Sequence, residues 1–453
     1  MSAAVIVDVL AGSTAVDAAH AEELRRKLRD RDWVAAVYGL GYVGLQLAVT
    51  IAARGIKVIG VDISGERIAS LRAGRSHVED VSPERLQSHV RGGQLRFTAD
   101  AAEAREADVV FIAVPTPLDQ LGQPDTSYIK TAVRSAAATA RPGQLIALES
   151  TTYPGTTREL VATILAESGL VVGRDLFVVY SPERINPGDR TFDTATIPKL
   201  VGGLDETSTE LGMLAYSAFV GRVHKVSSPD VAEMSKLFEN IFRAANIALV
   251  NEMAMLCDDL GIDVWDVIAA AETKPFGFLA HLPGPGVGGH CIPVDPVYLQ
   301  HRARAAGSSH TSLMDLAIEV NAGMPAYVVS RLARGLARRE RALQGARILV
   351  LGVAYKANTA DTRETPALTI IELLRAKGAI VAYHDPHVPS LPAAGLNSEA
   401  LDEALLRSMD AVVLVADHSL IDLALVARSS KYVLDTRAAL RRAGISERHI
   451  ESI

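Results

Sequence analysis

The chain of 453 residues is short of cysteine, of excess basic charge and of metal-binding spacings, and each shortage excludes a class of protein. Its only cysteines, Cys257 and Cys291, cannot build a disulfide framework, which points to a reducing compartment, the cytoplasm. Lysine and arginine number 46 against 53 aspartates and glutamates, so the net charge of −7 provides no overall basic field for nucleic acid. The 12 histidines are scattered and no zinc-like spacing occurs, so no metal is expected. Residues 1–32 lack the basic start and cleavage site of a secretory signal, and within them Ala18 to Arg31 reads as a charged helix. One uncharged run, Trp33 to Ala53, has the length of a bilayer span. Gly39, Gly41 and Gly44 interrupt it, and a second apolar burst ending in Asp62 follows, so it reads as strand, turn, helix and strand, with no membrane partner.

Apolar residues make up 49% of the chain, enough for several buried cores, and the length suits about three folded units. From Val34 to about Val226 the strand-like runs VAAVYG, KVIGVD, DVVFIAVP, GQLIALEST, LFVVYSPE and KLVGG alternate with helical stretches. That alternation predicts a parallel sheet covered on both faces. Ser228-Pro229-Asp230 then reads as a helix start, with no further glycine or proline until Gly261, which predicts a helix of about 32 residues, roughly 48 Å long. A helix of that length spans between domains or builds a dimer spine. A loop rich in glycine and proline follows (residues 274–296), then a helical region to about Arg339, and then a second alternation: ARILVLGVAY, a helix from about Thr365 to Ala376, AIVAYHDP, DAVVLVAD and KYVLDTR. The expected fold is α/β, with two Rossmann-like doubly wound parallel-sheet domains joined by a central all-helical segment. The boundaries are 1–32 for an extension, 33–226, 227–335 and 336–453. The second domain lacks the glycine signature of the first.

Gly39-Leu40-Gly41-Tyr42-Val43-Gly44 fits G-x-G-x-x-G between a strand and a helix, and Asp62 closes the next strand. The first glycine makes the turn, the second admits a pyrophosphate to backbone N–H groups and the third lets helix and strand pack, while the acid suits an adenine ribose. Asp62 favours NAD over NADP, and Arg67 nearby weakens that preference slightly. The alternative is a plain glycine-rich turn.

Cys291 lies in Gly288-Gly289-His290-Cys291-Ile292-Pro293-Val294-Asp295, flanked by glycines that would let a substrate approach the backbone. It reads either as a nucleophilic thiol or as a structural one. Cys257, inside the long helix, reads as packing. Lys236 and Asn240 are spaced i, i+4 on that helix with Arg243 continuing the face, either a functional stripe or a solvated one. Glu183 and Thr151 fall at expected carboxyl ends of strands, where ligands of open α/β sheets gather; Glu183 suits a general base, and a surface acid is the alternative.

Taken together, GLGYVG, VPTPLD (114–119), ESTTYPGTT (149–157), YSPERINPGD (180–189), the helix with NIALVNE, GPGVGGHCIPVDP, GVAYKANTADTRETPA and LDTR resemble the UDP-glucose/UDP-N-acetylhexosamine 6-dehydrogenase family in order and over nearly the whole chain. The resemblance implies an NAD-binding domain, a central dimerisation segment and a C-terminal UDP-binding domain. It also implies oxidation of the sugar C6 alcohol to a carboxylate with two NAD, through a thiohemiacetal and a thioester on Cys291. It gives Glu183 the hydrolytic water, Lys236, Asn240 and Asp295 the positioning of water and oxyanions, and Thr151 a place in the active-site loop. Tyr42, Val43, Thr116 and Arg363 fall to the cofactor with the glycines, Asp62 and Arg67. Arg184, Gly288, Lys356 and Arg437 fall to the nucleotide sugar with Lys236 and Asn240. The loops around Cys291 and Glu183 look more like the UDP-N-acetylglucosamine branch, although Leu279-Ala280-His281-Leu282 replaces a more aromatic run and Pro187 stands where UDP-glucose enzymes carry a second glutamate. UDP-N-acetylmannosamine, UDP-N-acetylgalactosamine and UDP-glucose remain open as substrates. The competing readings are a single-step hydroxyacid-type dehydrogenase and a non-catalytic regulator that binds NAD or a UDP-sugar. A homodimer or higher homo-oligomer is expected.

Overall fold

The computed structural model describes residues 15–78, 80–185, 195–289 and 292–453, which divide into two compact units. The first runs to Glu239 and includes Val297–Arg302; the second comprises Asn240–Pro296 and Ala303–Ile453.

The first unit holds an eight-stranded sheet: β1 Val34–Tyr38, β2 Lys57–Val61, β3 Leu95–Thr98, β4 Val109–Ile112, β5 Gln144–Leu148, β6 Leu176–Tyr180, β7 Lys199–Gly203 and β8 Val223–Lys225. Their order is β3-β2-β1-β4-β5-β6-β7-β8. Alternate residues of the central strands enter two different cores: Val37, Phe111, Ala147 and Val179 on one face, Ala36, Ile112, Ile146 and Val178 on the other. Burial on both faces is why these strands read as unbroken apolar runs. Two short outer strands, β3 and β8, escape the sequence reading. The pairing also departs from it in one place, since β7 runs antiparallel to β6. The charged helix near the start, Ala15–Asp30, belongs to this unit: Ala21, Leu24 and Leu28 join its core, while Lys27 pairs with Asp108 and Arg25 with Glu210. Trp33 to Ala53 forms β1, a turn and the helix Tyr42–Ala52, and no helix among the described residues is long and apolar enough to cross a membrane.

The long helix spans Pro229–Leu260, the predicted 32 residues. Cys257 sits with Val250, Ala254, Val264, Trp265 and Ile268 in a small core of the second unit. That unit's sheet has the order β10-β9-β13-β14-β15, from β9 Arg347–Leu351, β10 Ile380–His384, β13 Ala411–Leu414, β14 Val433–Asp435 and β15 Ile450–Ser452, all parallel. A two-residue hairpin, β11 Ser390–Leu391 with β12 Leu396–Asn397, stands apart. Again the faces alternate, with Val350 and Val413 in one core and Leu351 and Leu414 in the other.

Candidate active site

At the end of β1, Gly39 adopts φ +87 and its N–H donates to Val61 O at 2.9 Å. A Cβ there would lie 2.6 Å from Ala113 O, and one on Gly44 would lie 1.8 Å from Gly39 O, so neither position tolerates a side chain. Gly41 differs: a Cβ there would meet nothing within 4 Å. It caps the helix Tyr42–Ala52 without a side-chain hydrogen bond, and the first turn holds no acid. Uncapped N–H groups facing open space suit a pyrophosphate, so the residues fit a dinucleotide. Tyr42 and Val43 form that first turn, and Thr116 is buried after β4. Asp62 accepts the Leu40 N–H at 2.8 Å, the Ser64 N–H at 2.9 Å and an ion pair from Arg67 at 2.8 Å. Two lone pairs on Oδ2 and one on Oδ1 are then occupied, leaving one acceptor position for a ribose hydroxyl.

Glu183 follows β6 and is held from both sides. Its Oε1 accepts the N–H groups of Arg184 and Ile185 at 2.7 and 2.8 Å, and its Oε2 accepts from Lys199 Nζ at 3.0 Å. Burial alone would raise its carboxyl, but Lys199 and the backbone donors bring it below the usual glutamate range. It therefore stays an acceptor, as a base requires. Arg184 turns to Glu239 and Pro198 O. Lys199 is only 2% exposed and also contacts Glu149, whose other oxygen accepts from the Tyr216 hydroxyl. Sequence reasoning missed Lys199 and Tyr216. The one available signal was a charged residue, Glu149, directly after the apolar run Leu145 to Leu148.

The loop carrying Thr151 is fixed by another residue the sequence did not single out. Glu233, fully buried in the first turns of the long helix, accepts the N–H groups of Gly155 and Thr157 and the Thr157 hydroxyl. Gly155 adopts φ +99, and burial pushes the Glu233 carboxyl up to about 7 against these donors. One turn on, Lys236 is 8% exposed with no hydrogen bond or ion pair among the described residues. An ammonium so shielded without a counter-ion suits an anionic ligand or a developing oxyanion. Arg243, by contrast, is exposed.

Cys291 and His290 lie outside the described residues, as does Pro187, but the loop that bears the cysteine is anchored on both sides of it. Asn251 Oδ1 accepts the Gly284 N–H at 3.0 Å, and Asn240 Nδ2 donates to Asp295 Oδ2 at 2.5 Å. Both asparagines are buried on the long helix, three turns apart on one face, so Gly284 and Asp295 are stapled to it at points about 16 Å apart. The glycines of the loop serve protein contacts. A Cβ on Gly288 would lie 2.6 Å from Glu364 O and 2.8 Å from Tyr355 Cβ, and the Gly289 N–H donates to Arg363 O. On Gly284 a Cβ would lie 2.7 Å from Arg437 Nη1. The Arg437 guanidinium donates through Nε to Val415 O and has no ion pair among the described residues, leaving its outer N–H groups for an anion. Lys356 is half-buried in the loop after β9, and Arg363 pairs with Asp361. Among the described residues no group of three or more histidine, cysteine, aspartate or glutamate side chains is arranged to hold a metal ion.

Comparison with known proteins covers the same three regions. Residues 34–220 match the NAD binding domain of the UDP-glucose/GDP-mannose dehydrogenase family, residues 230–323 its central domain and residues 349–442 its UDP binding domain. The chain is similar to Protein CapL of Staphylococcus aureus, 39% identical over 386 residues, 84% of this chain and 89% of that one. It is equally similar to the UDP-N-acetyl-D-glucosamine 6-dehydrogenase of Pseudomonas aeruginosa, 39% identical over 360 residues, 79% of this chain and 84% of that one. Among solved structures, a UDP-D-ManNAc dehydrogenase from Pyrococcus horikoshii superposes with a TM-score of 0.84 at 34% identity, covering 93% of this chain and 99% of that one.

Proposed function

Because the chain belongs to the UDP-glucose/GDP-mannose dehydrogenase family, and is thereby an NAD-dependent UDP-sugar dehydrogenase, we propose that it oxidises the C6 alcohol of UDP-N-acetylglucosamine to the uronic acid through Cys291. The observation that carries this reading is the stapled loop: Asn251 and Asn240 fix the chain on either side of Cys291 to the helix that bears Lys236. A single-step oxidation would need no thiol in a loop anchored at both of its ends.

NAD, held by the glycine turn and Asp62, supplies the hydride acceptor twice per substrate. Glu183 takes the proton of an attacking water, Lys236 stabilises oxyanions, and the Asn240–Asp295 pair and Thr151 hold the reacting groups in place. The Cys291 sulfur adds to the C6 aldehyde as a thiohemiacetal, and its oxidation leaves a thioester. Water then bonds to the thioester carbon, Glu183 accepts the proton, the C–S bond breaks and the thiolate is regenerated with the carboxylate product. Arg184, Gly288, Lys356 and Arg437 serve the UDP-sugar, and Thr116, Arg67 and Arg363 the cofactor side.

The Pseudomonas relative at 39% identity supports the N-acetylglucosamine substrate, and the Pyrococcus structure favours UDP-N-acetylmannosamine as the second reading. The division into 1–32, 33–226, 227–335 and 336–453 remains our working scheme, with the product serving cell-surface polysaccharide synthesis in the cytoplasm. Phe242, Leu249, Met253, Leu256 and Leu260 are exposed along the long helix, an apolar face that supports a homodimer. The test is NADH formed per sugar consumed, with UDP-N-acetylglucosamine, UDP-N-acetylmannosamine, UDP-N-acetylgalactosamine and UDP-glucose in parallel. We expect two NADH per UDP-N-acetylglucosamine, and a Cys291→Ser protein that binds NAD but turns over the aldehyde at a small fraction of the normal rate. One NADH per sugar, or normal turnover without the thiol, overturns the thioester route.

A further inference from the structure

We propose that Lys199 is a positioning residue for Glu183, orienting its carboxylate toward a single water, and that Glu149 and Tyr216 act on Glu183 through Lys199. The inference rests on the reading of Glu183 as the hydrolytic base and extends it to residues outside the reacting centre.

The argument begins with strand direction. β5 and β6 are parallel neighbours, and their carboxyl ends lead into Glu149 and into Pro182-Glu183. Lys199 is the first residue of β7, and it reaches that same edge of the sheet only because β7 runs antiparallel to β6. In a parallel β7 it would start roughly 13 Å away, at the opposite edge.

Lys199 Nζ has three N–H groups and three acceptors: Glu149 Oε2, Glu183 Oε2 at 3.0 Å and Pro182 O at 3.2 Å. Two of the three belong to the Pro182-Glu183 pair, which a mere counter-ion for Glu149 would not require. With the backbone N–H groups of Arg184 and Ile185 on Oε1, three of the four lone pairs of Glu183 are occupied. The remaining one, on Oε2, is where a water can give up a proton. Tyr216 donates to the far oxygen of Glu149 and so turns its near oxygen onto Lys199.

The charges divide the work. Two carboxylates share one ammonium, leaving one negative charge in excess. Burial holds the Glu149 carboxyl above its usual range, while Lys199 and the backbone donors overcome burial at Glu183 and hold it below. As pH falls, Glu149 takes up the proton first and Glu183 stays ionised.

The titration of Glu183 tests this. The full-length protein labelled with carboxyl-13C glutamate is titrated by NMR, with Glu183→Gln identifying the Glu183 signal, and the acid limb of kcat is recorded with the UDP-sugars named above. Lys199→Met should move both the Glu183 titration and the acid limb upward by about one pH unit or more. Glu149→Gln should leave both within about 0.3 pH unit, because Glu149 is already neutral where Glu183 titrates, and Lys199→Arg should restore the normal limb. An unmoved titration in folded Lys199→Met, or a shift in Glu149→Gln as large as that in Lys199→Met, overturns the proposal. Should Lys199→Met fail to fold, Lys199→Gln, which keeps a hydrogen bond and drops the charge, must still move both upward. Normal turnover by Glu183→Gln would instead overturn the base reading, whatever Lys199 does.

Discussion

The turns after β1 and β9 are built to one plan and put to different uses. Each begins with a glycine at positive φ, Gly39 at +87 and Gly352 at +77. Each glycine N–H donates to the last residue of the neighbouring strand, Val61 O and His384 O, both at 2.9 Å. A Cβ on either would strike a backbone oxygen of the strand across the switch point, Ala113 O at 2.6 Å and Ala416 O at 2.3 Å. The next strand then ends in an acid that accepts the N–H after the glycine, Asp62 from Leu40 and Asp385 from Val353. There the likeness stops. After Gly39 the helix starts at once, with an open N-terminus at Gly41. After Gly352 the chain runs to Thr365 before its helix, which Thr365 caps with its own side chain. Asp62 keeps an acceptor position free, whereas Asp385 takes N–H groups from Val353, Ala354, His387 and Val388 and a fifth hydrogen bond from His418. The first turn leaves its helix N-terminus uncapped by any side chain, while the second commits its acid to scaffolding a loop that carries Lys356. One fold device thus serves as a ligand site only where its hydrogen-bonding capacity is left unfilled.

The sharpest way to break that contrast is Gly44→Ala, which places a methyl 1.8 Å from Gly39 O. Overpacking against backbone should cost about 3 kcal/mol at the turn, roughly a 100-fold loss of NAD affinity. Calorimetry with NAD and with UDP in parallel should show the loss for NAD alone, and an equal loss for both would erase the distinction between the sites. The next effect is on stability. Burial raises the Asp385 carboxyl, but the His418 and backbone hydrogen bonds outweigh it and hold it at about 2, below its ordinary 3.8. A depressed acid stabilises the fold fully above its unfolded value, so the second unit should lose about 2 kcal/mol as pH falls from about 4 toward 2. The chain's two tryptophans lie one in each unit, and a Trp33→Phe background leaves Trp265 to report on the second. In that background Asp385→Asn should unfold about 3 kcal/mol more easily at neutral pH and lose this acid sensitivity, by urea denaturation. Unchanged acid sensitivity would show that Asp385 is not its source.

What could be read from the sequence divides along the same line. The first turn was legible because three glycines and an acid at fixed spacing are local demands on a short stretch of chain. The long helix was legible for the same reason, from its proline start and unbroken interior. Its two staples were only half visible: Asn240 and Asp295 were named, and Asn251 went unremarked inside NIALVNE. The second turn was partly hidden, since it keeps the first glycine and the acid of the plan and drops the rest. Of the Lys199 cluster only Glu183 and the lone acid Glu149 after its strand could be read, and Lys199 itself could not. KLVGG has the same composition whichever way its strand runs, and direction decides which edge of the sheet receives the lysine. Strands β3 (LRFT) and β8 (VHK) carry charged or polar residues within their few positions and so form no apolar run that stands out from the loops around them.

The smallest expected effect compares the partners of the two acids. Arg67 pairs with Asp62 at 2.8 Å, yet its side chain is 39% exposed, whereas His418 and Asp385 are both wholly buried. His418 also accepts the Asn358 N–H on Nδ1 at 2.9 Å, which leaves its proton on Nε2 for Asp385. Losing a buried partner strands both of these groups and should cost about 2–3 kcal/mol in His418→Ala. Losing an exposed cation should cost only about 0.5 kcal/mol in Arg67→Ala, because water replaces it. NAD affinity should then change by less than about threefold, within what that energy allows. NADP should bind still more poorly, since Arg67 is the cation beside Asp62 that could meet a 2′-phosphate and Asp62 would remain to repel it. Matched stability curves and kcat/KM for both cofactors in the two variants measure this. An Arg67→Ala loss as large as that of His418→Ala would mean that Asp62 is held as rigidly as Asp385, and that the open acceptor position is not what separates a cofactor site from a scaffold.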